Sequence, residues 1–184
     1  MRRYKVPAYD EATGKGLVRH VYVRVNRKGE SLCCVVINGR QAPREPELAA
    51  YVCATVPHTA GVLVNSNTKR GNVILGEKYR TLWGRDYLMD TLCGLEFKLS
   101  VPSFYQVNRD QAEALYGKAL DYAGLTGRET VLDLYCGIGT ITLCLAKRAG
   151  RVIGAEIVPP AIEDARENAR RNGIENAEFF CGDA

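Results

Sequence analysis

The chain is poor in the residues that build metal centres and lacks the patterns that build disulfide frameworks. Its two histidines, His20 and His58, are too few and too isolated for a metal or catalytic cluster. The seven cysteines (Cys33, Cys34, Cys53, Cys93, Cys136, Cys144 and Cys181) are an odd number, lie mostly inside apolar runs and form no C-x-x-C pair. Neither a zinc site nor a disulfide framework is indicated, so reduced thiols in a cytoplasmic protein are expected. No run approaches the roughly 18–20 apolar residues of a membrane span. The charged start at residues 1–5 is not followed by the apolar core of a signal peptide. Internal repeats and low-complexity tracts are missing too. What remains, 46% apolar and 25% charged residues over 184 positions, is the composition of a soluble globular protein of one ordinary domain or two small ones.

Charge is unevenly spread. Residues 1–44 hold ten Lys and Arg against three Asp and Glu, whereas 45–184 hold fifteen against eighteen. A basic front end on a near-neutral body suits contact with a polyanion such as RNA; a solvated basic surface is the alternative. The front half reads as mixed α and β. Residues 17–25 alternate, with Val21, Val23 and Val25 on one face and His20, Tyr22 and Arg24 on the other, which predicts a half-buried strand. The second face, with Arg19 and Arg27 nearby, is either an RNA-touching strip or a solvated strand face. A more buried strand is expected at 32–37, a helix at 45–55, and strands at 61–65, 73–75 and 95–100, with a polar loop at 66–72.

The architecture changes near Pro102. Asn108 or Asp110 can cap a helix running to about Ala123, with Leu115, Ala119 and Tyr122 on one face and Gly124 as its stop. From Thr130 the pattern is strand (130–135), helix (139–149), strand (152–156), helix (160–172) and strand (177–181), which predicts a parallel, doubly wound sheet. Ligands of such sheets bind beyond the carboxyl ends of the strands. Asp133, Gly137, Gly139, Glu156 and Asp183 all fall at or just past those ends. The glycines permit close backbone approach, and a helix starting at Gly139 points free N–H groups at a ligand. Glu156, 23 residues after Asp133, is placed to receive ribose hydroxyls. Asp183 could accept from an adenine amine.

Two nucleotides compete for this pocket. The dinucleotide fingerprint G-x-G-x-x-G has Thr142 where its third glycine belongs, and Asp133 would repel a pyrophosphate. An acid there suits a ligand carrying a sulfonium and an ammonium group. The pocket therefore favours S-adenosylmethionine over NAD.

Three blocks carry a family resemblance: Val-Pro-Ser-Phe-Tyr-Gln-Val-Asn at 101–108, Gln-Ala-Glu-Ala-Leu-Tyr at 111–116, and Asp-Leu-Tyr-Cys-Gly-Ile-Gly-Thr at 133–140. With Gly-Asn-Val-Ile-Leu-Gly at 71–76 and Cys-Gly-Asp-Ala at 181–184, the chain resembles the RNA uracil-5-methyltransferases over about residues 14–184. Among these it is most similar to bacterial enzymes acting on 23S ribosomal RNA, with the tRNA uracil-54 enzymes as close relatives. The resemblance implies that Gln106 contacts the cofactor near its methionine end, and that Tyr135, Glu156 and Asp183 line the cofactor site. Thr140 stands where some relatives have Asn. Read without the family, Gln106 is better taken as a loop amide tying down its own backbone.

The family's chemistry is covalent: a cysteine thiolate adds to uracil carbon 6, carbon 5 takes the methyl group, and a base removes the carbon 5 proton. The resemblance puts the nucleophile in a Ser-Cys-Asn-Pro-type motif and the base in a later glutamate, both beyond Ala184. Cys136, in the pocket loop, is read as a packing residue. No catalytic residue and no metal ligand is therefore assigned within the chain. The expected fold is α/β: a mixed α/β, RNA-facing domain over residues 1–101, then the first three strands of a Rossmann-like methyltransferase sheet over 102–184. The family's N-terminal RNA-binding β-barrel is also expected to be missing. Partners implied are ribosomal RNA or tRNA, with no membrane. Because the first strand is central in the family's sheet, its free edge is expected to make the chain marginally stable or self-associating.

Overall fold

A computed structural model describes residues 4–183; Met1, Arg2 and Arg3 of the charged start, and Ala184, lie outside the described residues. The chain divides into two compact units, Met1–Leu88 with Ser100–Pro102, and Met89–Leu99 with Ser103–Ala184.

The first unit is a four-stranded sheet with one covering helix. Strands β1 (Val18–Val25), β2 (Ser31–Ile37), β3 (Thr59–Ser66) and β4 (Lys78–Gly84) lie in that order, and helix α1 (Glu45–Thr55) makes the crossover between parallel β2 and β3. β1 and β4 pair antiparallel at the two edges. The whole of β2 is buried, as an unbroken apolar run in a central strand should be. Leu32 and Cys34 pack with Leu63 on one face, and Val35 and Ile37 with Val64 and Ala42 on the other.

Two expectations for this unit are corrected. On β1 the valines Val21, Val23 and Val25 are the exposed side, while Tyr22 packs on the Leu32 cluster and the Arg19 side chain is almost wholly buried. Arginine and tyrosine lend apolar bodies to a packed face, which a polar-out reading overlooks. The strip of His20, Tyr22 and Arg24 is thus not a solvated strand face. Nor is there a strand at 73–75: the Asn67 amide donates to the Val73 and Ile74 carbonyls, replacing a ladder with side-chain bonds.

β5 (Tyr87–Leu92) and β6 (Leu95–Ser100), most of whose residues (89–99) belong to the second unit, form a hairpin around Cys93 and Gly94, both with positive φ. β4 and β5 were hidden in the sequence by their charges: Lys78 and Arg80 in one, Asp90 in the other. The sequence boundary at 101 left the hairpin with the front half. Its Leu92, Leu95, Phe97 and Leu99 instead share a core with Tyr116, Leu143 and Ile162. Helix α2 (Arg109–Ala123) is capped by Asn108, whose side chain accepts from the Gln111 N–H, and ends at Gly124 with φ 57°. Its buried face is Ala112, Tyr116 and Leu120, one residue round from the expected Leu115, Ala119 and Tyr122, of which Leu115 and Tyr122 are exposed.

The rest alternates: β7 (Thr130–Leu134), α3 (Thr140–Ala146), β8 (Arg151–Glu156), α4 (Pro159–Arg171) and β9 (Ala177–Cys181). The strands form a parallel sheet in the order β7-β8-β9. Val152, Leu143, Ala165 and Phe179 pack on the helix-covered face. On the opposite face Leu132, Leu134 and Phe180 are exposed. Among the described strands β7 pairs on one side only.

Candidate nucleotide site

Parallel strands aligned in register bring their last residues to one edge of the sheet. Asp133 lies beside Gly154, Leu134 beside Ala155, and Glu156 beside Cys181. Past β7 the chain turns sharply. Tyr135 takes φ 72°, a left-handed conformation that a non-glycine residue seldom adopts, and leaves its ring exposed. The N–H groups of both Tyr135 and Cys136 donate to the Ala155 carbonyl, which ties the turn to β8.

The two glycines are required for different reasons. At Gly137, φ is 55° and nothing stands within 4 Å of where a Cβ would be, so the loop has open space in front of it. At Gly139, φ is 85° and a Cβ would press on the Phe179 ring at 3.2 Å. Gly139 also caps α3, and its N–H donates to the Cys136 carbonyl at 2.9 Å.

Glu156 closes the loop from the neighbouring strand. One carboxylate oxygen accepts from the Gly137 N–H at 3.2 Å, the other from the Val158 N–H at 3.0 Å at the start of α4. Next to it the Gly182 N–H donates to the Glu156 carbonyl, so the segment carrying exposed Asp183 leaves β9 beside Glu156. Asp133 is held by the Thr142 hydroxyl, and burial raises its carboxyl above the usual aspartate value despite that bond. Thr140, the first residue of α3, shares a 3.1 Å hydrogen bond with the Tyr116 hydroxyl on α2. Gln106 is half-buried in the segment before α2. The structure thus joins Asp133, Gly137, Gly139 and Glu156 around one turn, with Tyr135 and Thr140 flanking it. No hydrogen bond connects Gln106 to that turn.

Cys136 is buried, and its thiol is pushed up to about 12, first by burial and then by the Asp133 and Glu156 charges. Such a thiol is not a nucleophile at neutral pH. Its role is packing, against the face of β8 where a Cβ on Gly154 would meet its sulfur at 2.9 Å.

Three supporting residues escaped the sequence reading. Thr142, which in the sequence only stands where a fingerprint glycine is missing, is the donor to Asp133. Gly154, a glycine in mid-strand, carried the ordinary signal of close approach. Asn168, wholly buried on α4, donates to the Ile138 carbonyl in the turn and accepts from the Lys98 N–H on β6. No group of three or more potential metal ligands occurs among the described residues, and none of their helices is long and apolar enough to cross a membrane.

Residues 125–184 match the family model described as a methyltransferase domain. The chain is 45% identical over its full length to an uncharacterized RNA methyltransferase of Halalkalibacterium halodurans. It is 46% identical over 97% of its length to one of Caldanaerobacter subterraneus subsp. tengcongensis. It spans 40% of the length of each. Among solved structures it is similar to the Pyrococcus abyssi tRNA (uracil-54, C5)-methyltransferase in complex with S-adenosyl-L-homocysteine. That likeness has a TM-score of 0.77 and 25% identity, and covers 98% of this chain and 43% of that one. A Methanocaldococcus jannaschii tRNA m1G37 methyltransferase shares the fold at a TM-score of 0.53 and 16% identity, over 95% of this chain and 49% of that one. The expected fold is the one found: a mixed α/β protein with a Rossmann-like methyltransferase sheet.

Proposed function

We propose that this chain is the methyl-donor-binding part of an S-adenosylmethionine-dependent RNA methyltransferase that modifies carbon 5 of a uridine in 23S ribosomal RNA. The observation that carries the reading is the turn at 133–139 with its acids: a half-buried aspartate with a neutral partner, an open glycine, and a glutamate on the neighbouring strand. A half-buried carboxylate of raised pKa favours a cationic ligand, because a nearby positive charge stabilises its ionised form. That is the demand a sulfonium and an ammonium group would meet at Asp133. Glu156 would take the ribose hydroxyls and Asp183 the adenine amine. Tyr135, Gly137, Gly139 and Thr140 would form the wall, and Gln106 would reach the methionine end. Bound there, the cofactor supplies an electrophilic methyl group; the residues of this chain orient it.

Tyr135 and Thr140 would fix the donor's position relative to an incoming base. The nucleophilic cysteine and the general base are assigned to sequence outside these 184 residues, in keeping with the high pKa of Cys136. The chain by itself is then expected to bind the donor without turning it over. A tRNA substrate is the second reading, favoured by the Pyrococcus likeness.

Calorimetry tests the reading. S-adenosylhomocysteine should bind, NAD should not, and Glu156→Gln should weaken the former. Binding of NAD in preference, or heat from neither ligand, would sink it. Methyl transfer to ribosomal RNA by this chain alone would refute the placement of the nucleophile.

A further inference from the structure

In the first unit, a cavity of about 720 Å³ is lined by Arg40, Lys69, Lys78 and Arg80 with one acid, Glu77, among them. We propose that this cavity and the loop 66–77 beside it form a docking site for the phosphate backbone of RNA. The inference rests on the RNA-methyltransferase reading above and names the surface of the first unit that would hold the substrate.

The loop is fixed far more firmly than its exposure requires. Asn65 and Asn67 are 0% and 2% exposed. The Asn65 amide donates to the Gly76 and Lys78 carbonyls and accepts from the Gly76 N–H. The Asn67 amide donates to the Val73 and Ile74 carbonyls. From beneath, the buried Arg19 guanidinium donates to the Asn67 and Lys69 carbonyls. A loop held this way presents its side chains in one geometry, which removes an ordering cost on binding. What it presents is Lys69, Arg70 and two exposed apolar residues, Val73 and Ile74.

The charges are disposed for a polyanion. Buried Glu45 holds the Arg80 guanidinium through both of its oxygens, fixing the fork at the cavity wall. Lys69 pairs with Glu77, but both side chains are largely exposed, and such a pair is weak enough to exchange for a phosphate. Arg40, Arg70 and Lys78 are exposed and form no ion pair among the described residues. Residues 1–88 carry fifteen Lys and Arg against seven Asp and Glu, and 89–184 carry ten against fourteen. The attraction for a polyanion is therefore local to this unit. Apolar side chains beside the cations suit bases and riboses, which an inorganic anion does not have.

The test is fluorescence anisotropy of a labelled single-stranded RNA oligonucleotide with the 184-residue chain over a range of salt. Arg40→Gln with Lys78→Gln should weaken binding about tenfold and flatten the slope of log K against log salt by about 0.7 per lost phosphate contact. Lys28→Gln with Arg128→Gln, a charge-matched control elsewhere, should leave the slope unchanged. Should the double variant lose its melting transition, Lys78→Gln alone reads the same slope at half the amplitude. Equal affinity and slope for variant and parent, or no RNA binding by the chain, overturns the proposal whatever the cofactor result. S-adenosylhomocysteine affinity, measured in parallel, should be the same in parent and variant. Loss of RNA through this groove in a chain that binds no cofactor would instead leave the docking site standing and remove the methyltransferase reading.

Discussion

Two carboxylates in the second unit respond to pH in opposite senses. Glu129 accepts from the Thr126 hydroxyl and from the N–H groups of Thr126, Gly127 and Arg128, and these bonds lower its pKa to about 2. Its folded value lies below its ordinary 4.5, so its contribution to stability is present above that value and lost as pH falls towards about 2. Urea midpoints should fall across that interval, and Glu129→Gln should flatten the fall. Asp133 has the reverse sign: burial raises it, so stability declines as pH climbs from 3.8 through the raised value. Asp133→Asn should remove that decline and also weaken S-adenosylhomocysteine binding; an unchanged profile would contradict the burial argument. Gly139→Ala combines a positive φ with a clash on Phe179 and should cost about 1–3 kcal/mol, read from denaturant unfolding. The acids and glycines were legible because their residue types and spacing carry the chemistry directly. Thr142 and Asn168 were not, because a threonine or asparagine becomes a site residue only through the distant partner the fold brings to it.

At the scale of elements, α4 acts as a clamp. Asn172 accepts from the Glu96 N–H and donates to the Glu96 carbonyl, while Asn168 takes the Lys98 N–H two residues along the same strand. One helix thereby supplies polar partners to the edge of β6 and, through Ile138, to the glycine turn. Asn168→Ala should leave a half-buried N–H and a buried carbonyl unpaired, at up to about 1–3 kcal/mol for each. Hydrogen exchange at the Lys98 amide should quicken; unchanged protection there would dismiss the clamp. The βαβα pattern from Thr130 onward was readable because strand and helix periods alternate cleanly. β4 and β5 were not, because each mixes charged with apolar residues and offers no long apolar run. The burial of Tyr22 over Val21 follows from tertiary packing on the Leu32 cluster, which no local pattern encodes.

For the whole molecule, the exposed residues Leu132, Leu134 and Phe180 lie on one face of a sheet whose first strand pairs on one side only among the described strands. Apolar surface beside an unpaired edge favours pairing between chains. Sedimentation velocity of the 184-residue chain should show mass rising with concentration, and Leu134→Lys should suppress the rise. A monodisperse, cooperatively melting monomer would contradict this. The change of pattern near Pro102 was legible in the sequence. The hairpin's allegiance to the second core was not, since it depends on which neighbours Phe97 and Leu99 meet.

The two bonds that hold Glu156 carry a consequence for binding entropy. A carboxylate has about four lone-pair positions, and the Gly137 and Val158 N–H groups occupy two of them. The rest can receive a diol without either backbone bond breaking. Immobilising a flexible side chain at a binding site ordinarily costs about 0.5–1.5 kcal/mol; the two backbone bonds already hold the Glu156 rotamer, so the proposed diol contact would not incur that cost. Loosening those two bonds should lower affinity through entropy, with the acid itself untouched.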